Sequence, residues 1–124
     1  MKREITNSAD VKLLVDSFYE KVNQDDLLSP VFNDFAKVDW DSHLPKMYKF
    51  WDSILFATGT YQGHPFQKHI PLPISLAHFD RWITLFIANV DAHFVGEKAE
   101  MAKNRAQSIA HIFKTKLTHL NKFD

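Results

Sequence analysis

The sequence predicts an all-α protein. Three observations carry that reading: apolar residues recur at helical spacing in four places, no stretch sustains an apolar–polar alternation, and the β-branched residues fall on helical rows. Glycine is scarce as well, occurring only at Gly59, Gly63 and Gly96.

Val11, Leu14, Val15, Phe18 and Val22 mark the first helix, with Ser8 as its N-cap and Asp10 in its first turn. Ser29-Pro30 reads as a cap followed by proline at the first helical position, opening a short turn through Phe32 and Phe35. Leu44, Met47, Tyr48, Trp51, Ile54 and Leu55 define the second long helix, and Gly59 is placed to end it. Pro45 has no amide proton and suits only a helix start. The helix is therefore expected to begin near Asp41 or Ser42, with His43 in its first turn. Ser75 caps a third helix carrying Leu76, Phe79, Trp82, Ile83, Phe86, Ile87, Val90 and Phe94. Gly96 separates it from a fourth, whose inner face is Ala102, Ala106, Ile109, Ala110, Phe113 and Leu117. Between the second and third helices runs TGTYQGHPFQKHIPLP, which is longer than most helix–helix connections. Pro65 can open a short turn there, and Pro71 forces Ile70 to leave it, so His69 sits near its end.

Length and composition narrow the function. At 124 residues the chain is expected to form one domain, residues 1–124. Apolar residues make up 45% and charged residues 24%, as in folded globular chains. Fifteen basic and fifteen acidic residues leave no formal charge, hence no electrostatic case for nucleic acid or an anionic membrane. The absence of cysteine removes disulfides, thiolate metal sites, iron–sulfur clusters and thiol nucleophiles. No signal peptide follows Met1-Lys2-Arg3-Glu4, and the apolar run from Trp82 to Val90 is far short of a membrane span. A cytoplasmic domain is the expectation.

The chemistry-bearing residues are unevenly distributed by type. Eleven Phe, three Trp and three Tyr accompany seven His. No two histidines stand at i and i+4, and no Glu-x-x-His element occurs, which argues against helix-borne metal sites. No nucleophile elbow or phosphate-cradling glycine loop is present. The acidic pair Asp25-Asp26 reads as solvated surface.

What remains is one histidine in a proline-bounded turn and a wealth of aromatics. That set meets the needs of haem: an axial imidazole, an apolar slot and cations for two propionates. Tyr19 and Trp82 lie at the margins of their apolar stripes, each with a donor needing a partner, while His43, Met47, Phe50 and Ile54 share one side of the second helix. An ordinary core filled by large side chains, with His69 in solvent, accounts for the same spacing.

The string HLPKMYKFW from His43 to Trp51, then YQGHP from Tyr61 to Pro65 and His69, resembles the group III truncated haemoglobins. HFDRW from His78 to Trp82 and RAQSIA from Arg105 to Ala110 resemble the last two helices of that group. The resemblance runs from about Ser8 to about Leu117. It implies a two-over-two helical sandwich of truncated-globin type with haem, of the b type, between the helical pairs. It further implies His69 as the proximal iron ligand and Tyr19, His43 and Trp82 as the distal, reactive residues. Phe18, Met47, Phe50 and Trp51 then wall the pocket, and Lys68 and Arg81 are candidate propionate partners. Groups I and II carry a Gly-Gly pair near the distal helix; this chain has none, so ligand access past His43 replaces a long apolar tunnel as the expectation. The implied partners are oxygen, nitric oxide and carbon monoxide, with an unidentified reductase for nitric oxide dioxygenase-like or peroxidase-like turnover. A non-catalytic gas sensor or carrier, and a haem-free helical interaction module, are the competing functions.

Overall fold

Four long helices build the protein among the described residues: α1 (Ser8–Asn23), α2 (Trp40–Phe56), α3 (Leu76–His93) and α4 (Glu97–His119). The structure is a computed structural model that describes residues 2–57 and 75–119, apart from the side chains of Phe35 and His119. Helix α1 packs on α2 and α3, while α4 packs on α3 and α2, so two helical pairs face one another. None of the described helices is long and apolar enough to cross a membrane.

The apolar spacing in α1 does what it predicts. Val11, Leu14, Val15, Phe18 and Val22 are all buried, joined by Tyr19 and by Ile5 from the preceding segment. Its N-cap is Asn7 rather than Ser8: Asn7 Oδ1 accepts the Asp10 amide at 3.0 Å, whereas Ser8 Oγ reaches Asp52 of α2 at 3.4 Å. Asn suits a cap because its short side chain turns back onto the first-turn amides.

Pro30 precedes, rather than opens, a five-residue π-helical turn at Val31–Phe35. Ala36 N donates to Val31 O at 2.9 Å across this wide turn, and Lys37 then takes a left-handed φ of 50°. Helix α2 starts at Trp40, earlier than Asp41 or Ser42, and Pro45 sits deeper than the sequence reading placed it. Proline there denies the Asp41 carbonyl its helical donor, but Asp41 is solvent-exposed, which keeps the cost low. The helix stops at Phe56 because Ala57 turns left-handed at φ 55°; Gly59 lies outside the described residues. Lys98 of α4 donates to the Leu55 carbonyl at 2.6 Å, putting a cation on the negative end of α2.

Ser75 precedes α3, and its amide donates to His78 Nδ1 at 2.9 Å. Leu76, expected on the inner face, is exposed instead, because the buried face begins at Phe79. Gly96 is required between α3 and α4: its φ is 97°, and a Cβ there would lie 2.6 Å from Glu4 Oε1. Arg3 bridges Phe94 beside this turn, tying the amino-terminal segment to the α3–α4 junction. On α4, Ala102, Ala106, Ala110 and Leu117 are buried, with Ile109 and Phe113 half-buried.

Asn89 of α3 is fully buried and joins two elements. It accepts Lys21 Nζ at 2.9 Å and donates to Leu14 O at 3.1 Å. Asn89→Leu is expected to lower stability by about 1–3 kcal/mol, the usual cost of stranding a buried polar partner. Urea unfolding followed by helical circular dichroism measures this, and an unchanged midpoint would remove the bridge from the stabilising contacts.

Candidate functional site

A continuous patch of aromatic rings gathers where α1, α2 and α3 meet. Phe18 and Tyr19 are adjacent on α1, so both reach it only because Tyr19 lies at the edge of the buried stripe. The Phe18 ring stands 5.0 Å from Tyr19, 5.1 Å from Phe86 and 5.7 Å from Trp82, centroid to centroid. Trp82 stacks on Phe86 at 5.6 Å, and Phe86 stacks on Trp51 at 4.8 Å, which carries Phe50 edge-on at 5.4 Å. Tilted and edge-on rings satisfy the aromatic quadrupoles, so the patch is a specific arrangement as well as an apolar one.

A polar rim borders this patch. Tyr19 is only 8% exposed, with its ring 5.5 Å from the His43 imidazole and nearly perpendicular to it. The stripe margin at Tyr19 thus faces other rings, with Phe18, Phe32, Trp40 and His43 all packed around it. Trp82 is half-buried, and Met47, Phe50 and Ile54 form a half-buried apolar row along α2 beside the buried Trp51 and Leu55. Thus Phe18, Tyr19, His43, Met47, Phe50, Trp51 and Trp82 are distributed over three helices, with α1 packing on both α2 and α3 and the Trp51–Phe86 stack joining the latter two. His69 and Lys68 lie outside the described residues, as do Tyr61 and Gly63.

Arg81 is engaged with protein. Its Nε donates to Asp25 Oδ1 at 2.6 Å, linking α3 to the turn after α1. Asp25 also accepts the amides of Leu27 and Leu28, at 3.2 and 3.0 Å. The reading of Asp25 as solvated surface is therefore wrong, while its neighbour Asp26 is exposed. An Asp two and three residues ahead of the amides it caps is the signal that could have found this turn. Trp40 and Asn33 also escaped the sequence reading, although both border the rim through the indole contacts with Tyr19 and His43.

Burial works to raise the Asp25 pKa, but the Arg81 hydrogen bond and the two amides outweigh it and hold the carboxyl below its ordinary range. At Asp10 the Thr6 amide does most to lower the pKa, against burial and with help from the Thr6 hydroxyl and Arg3. A depressed folded-state pKa contributes stability that is complete above the unfolded value of about 3.9 and is lost as pH falls through the folded value. Urea midpoints are therefore expected to drop as pH falls below about 4. Asp25→Asn is expected to be less stable at neutral pH, with a shallower acid limb. Parallel profiles for the two proteins would exclude Asp25 from the acid response. Tyr48 is shifted the other way: burial first, then its hydrogen bond to Asp16, raises the phenol pKa.

A family model for bacterial-like globins matches residues 3–118. The chain belongs to the bacterial-like globin family. It is 34% identical over 121 residues to a group 3 truncated haemoglobin, ctb, of Campylobacter jejuni, covering 94% of this chain and 95% of that one. The crystal structure of a group III truncated haemoglobin from the same species superposes with a TM-score of 0.85 at 35% identity, covering 94% and 95% of the two chains. The four-helix arrangement above is therefore the truncated-globin fold, and group III is the matching group.

Globins are haem proteins that bind diatomic gases, so family membership supplies the cofactor class. The residues described here fit such a group. Planar apolar faces come from Phe18, Trp51, Trp82 and Phe86, half-buried apolar side chains from Met47, Phe50 and Ile54, and polar groups from Tyr19 and His43.

Proposed function

We propose that residues 1–124 form a single truncated-globin domain that binds b-type haem through His69 and takes oxygen, nitric oxide or carbon monoxide beside Tyr19, His43 and Trp82. The observation that carries this reading is the buried Tyr19, whose ring lies against both Phe18 and His43 at the junction of three helices. Haem, when bound, would supply an iron able to take up a diatomic ligand. Everything else is the work of the chain. Tyr19 and Trp82 donate hydrogen bonds to the ligand from α1 and α3, favouring ligands that accumulate negative charge. Phe18, Met47, Phe50 and Trp51 exclude water and so strengthen those bonds. His43 controls ligand access from the first turn of α2. Lys68 and Arg81 hold the propionates, in the case of Arg81 while anchored by Asp25.

Two donors from separate helices favour retention over delivery, and retention suits oxygen–nitric oxide or peroxide chemistry. Such turnover draws electrons from a separate cytoplasmic reductase. The decisive experiment adds haemin to the purified full-length chain and follows the Soret band. A saturable band at one equivalent is expected; its absence would favour a haem-free helical module. Reduction with a reductase system, followed by nitric oxide consumption, then separates turnover from sensing or carriage. His43→Ala is expected to raise carbon monoxide and oxygen association rates, and unchanged rates would end the access role.

A further inference from the structure

Helix α2 begins without a side-chain hydrogen bond from its N-cap residue Asp39. Its first residue is held from outside. Trp40 Nε1 donates to Asn33 Oδ1 at 2.9 Å, and Asn33 Nδ2 donates to Asn23 Oδ1 at 2.9 Å and to Ser29 O at 3.0 Å. Asn33 occupies the π-helical turn, a rare winding that tends to occur at functional positions. One amide side chain thus ties the indole to the end of α1 and to the turn that follows it.

The indole in turn touches the distal rim. It stacks on Phe32 at 5.9 Å and 26°, tilts against Tyr19 at 5.3 Å, and meets the His43 imidazole edge-on at 5.6 Å and 83°. Tyr19 provides a second edge contact to the same imidazole, at 5.5 Å and 79°. The imidazole therefore has one aromatic neighbour from α1 and another one turn back on its own helix. Ring contacts of this geometry constrain orientation as well as burial. A tryptophan has two side-chain torsions, and a hydrogen bond at its N–H fixes the plane that those torsions leave adjustable.

We propose that Asn33 and Trp40 form a latch that fixes the resting orientation of His43 and thereby sets how fast diatomic ligands pass it. The inference rests on the reading of His43 as the access residue. Trp40 is a positioning residue in this scheme, acting through the imidazole, and Asn33 acts through Trp40.

Three variants test the latch in the full-length chain. Asn33→Leu removes the acceptor of the indole N–H, Trp40→Phe removes the donor and keeps a ring, and Asn33→Asp keeps the acceptor while losing the bonds to Asn23 and Ser29. In the haem-free protein, the carbon-bound ring protons of His43 are read by NMR. They are expected to shift in Asn33→Leu and Trp40→Phe and to stay near the parent values in Asn33→Asp. In the haem-loaded protein, carbon monoxide association after flash photolysis is expected to quicken about two- to tenfold in the first two variants, the range one net hydrogen bond supports. Asn33→Asp is expected to restore the parent rate. Combined with His43→Ala, Asn33→Leu is expected to add nothing further.

Unmoved His43 resonances in Asn33→Leu would overturn the latch, and so would an acceleration of the same size in the His43→Ala background. Failure of the underlying reading looks different. In that case His43→Ala itself leaves association unchanged, while the haem-free resonances still report whether Trp40 orients the imidazole.

Discussion

Haemin added to a His69→Ala variant is expected to give no proximally ligated Soret spectrum, and apparent haem affinity is expected to fall by more than about a hundredfold. That bound is the upper end of what losing a mere outer-sphere partner of a metal ligand costs, and His69 is proposed as the ligand itself. Substitution of His64, five residues earlier in the same segment, serves as the control and is expected to leave affinity and spectrum unchanged. The contrast matters because both histidines fall within the string that carries the family resemblance. A His69→Gly variant sharpens the test, since imidazole supplied in solution can occupy the position vacated by the side chain and restore the spectrum. Parent-like haem binding by His69→Ala, or loss of binding in the His64 variant instead, would reassign the iron ligand.

The helical faces were legible because they depend on spacing alone. Val11 to Val22 on α1 and Ala102 to Leu117 on α4 recur at intervals that only a helix turns to one side, and the structure buries all of that α1 row and all of the α4 row but the half-buried Ile109 and Phe113. The rim of the site was harder to read. Tyr19 sits at the edge of its stripe, and whether an edge residue faces water or a neighbour is decided by other elements: Phe32 from the π-helical turn, Trp40 and His43 from α2. Those elements were misplaced by a small error with large consequences. Treating Pro45 as a near-start residue moved the beginning of α2 past Trp40, so the tryptophan fell into a loop and its i, i+3 relation to His43 went unseen. The π-helical winding has no apolar period of its own, which left Asn33 without a signal. Asp25 failed for a different reason. Adjacent acids usually mean solvent, and its three partners come from a turn and from a helix far along the chain.

Tyr19→Phe is expected to raise the oxygen dissociation rate about ten- to a hundredfold, the equivalent of one hydrogen bond to a charge-accumulating acceptor at about 1.5–3 kcal/mol. The substitution keeps the ring contacts to Phe18, Phe32, Trp40 and His43, which involve the phenyl plane that phenylalanine retains. Carbon monoxide, which gathers less charge on its outer atom, is expected to respond far less, and the ratio of the two effects separates a hydrogen bond from a change in pocket shape. Trp82→Phe makes the same deletion from α3 while preserving a ring to stack on Phe86 and to meet Phe18 edge-on. If each donor reaches the ligand independently, the two effects multiply in the double variant. If Tyr19 acts by orienting Trp82 or the reverse, the double variant dissociates oxygen no faster than the more severe single one. Oxygen release unchanged in both single variants would leave the rings as pocket walls and remove the two donors from the chemistry.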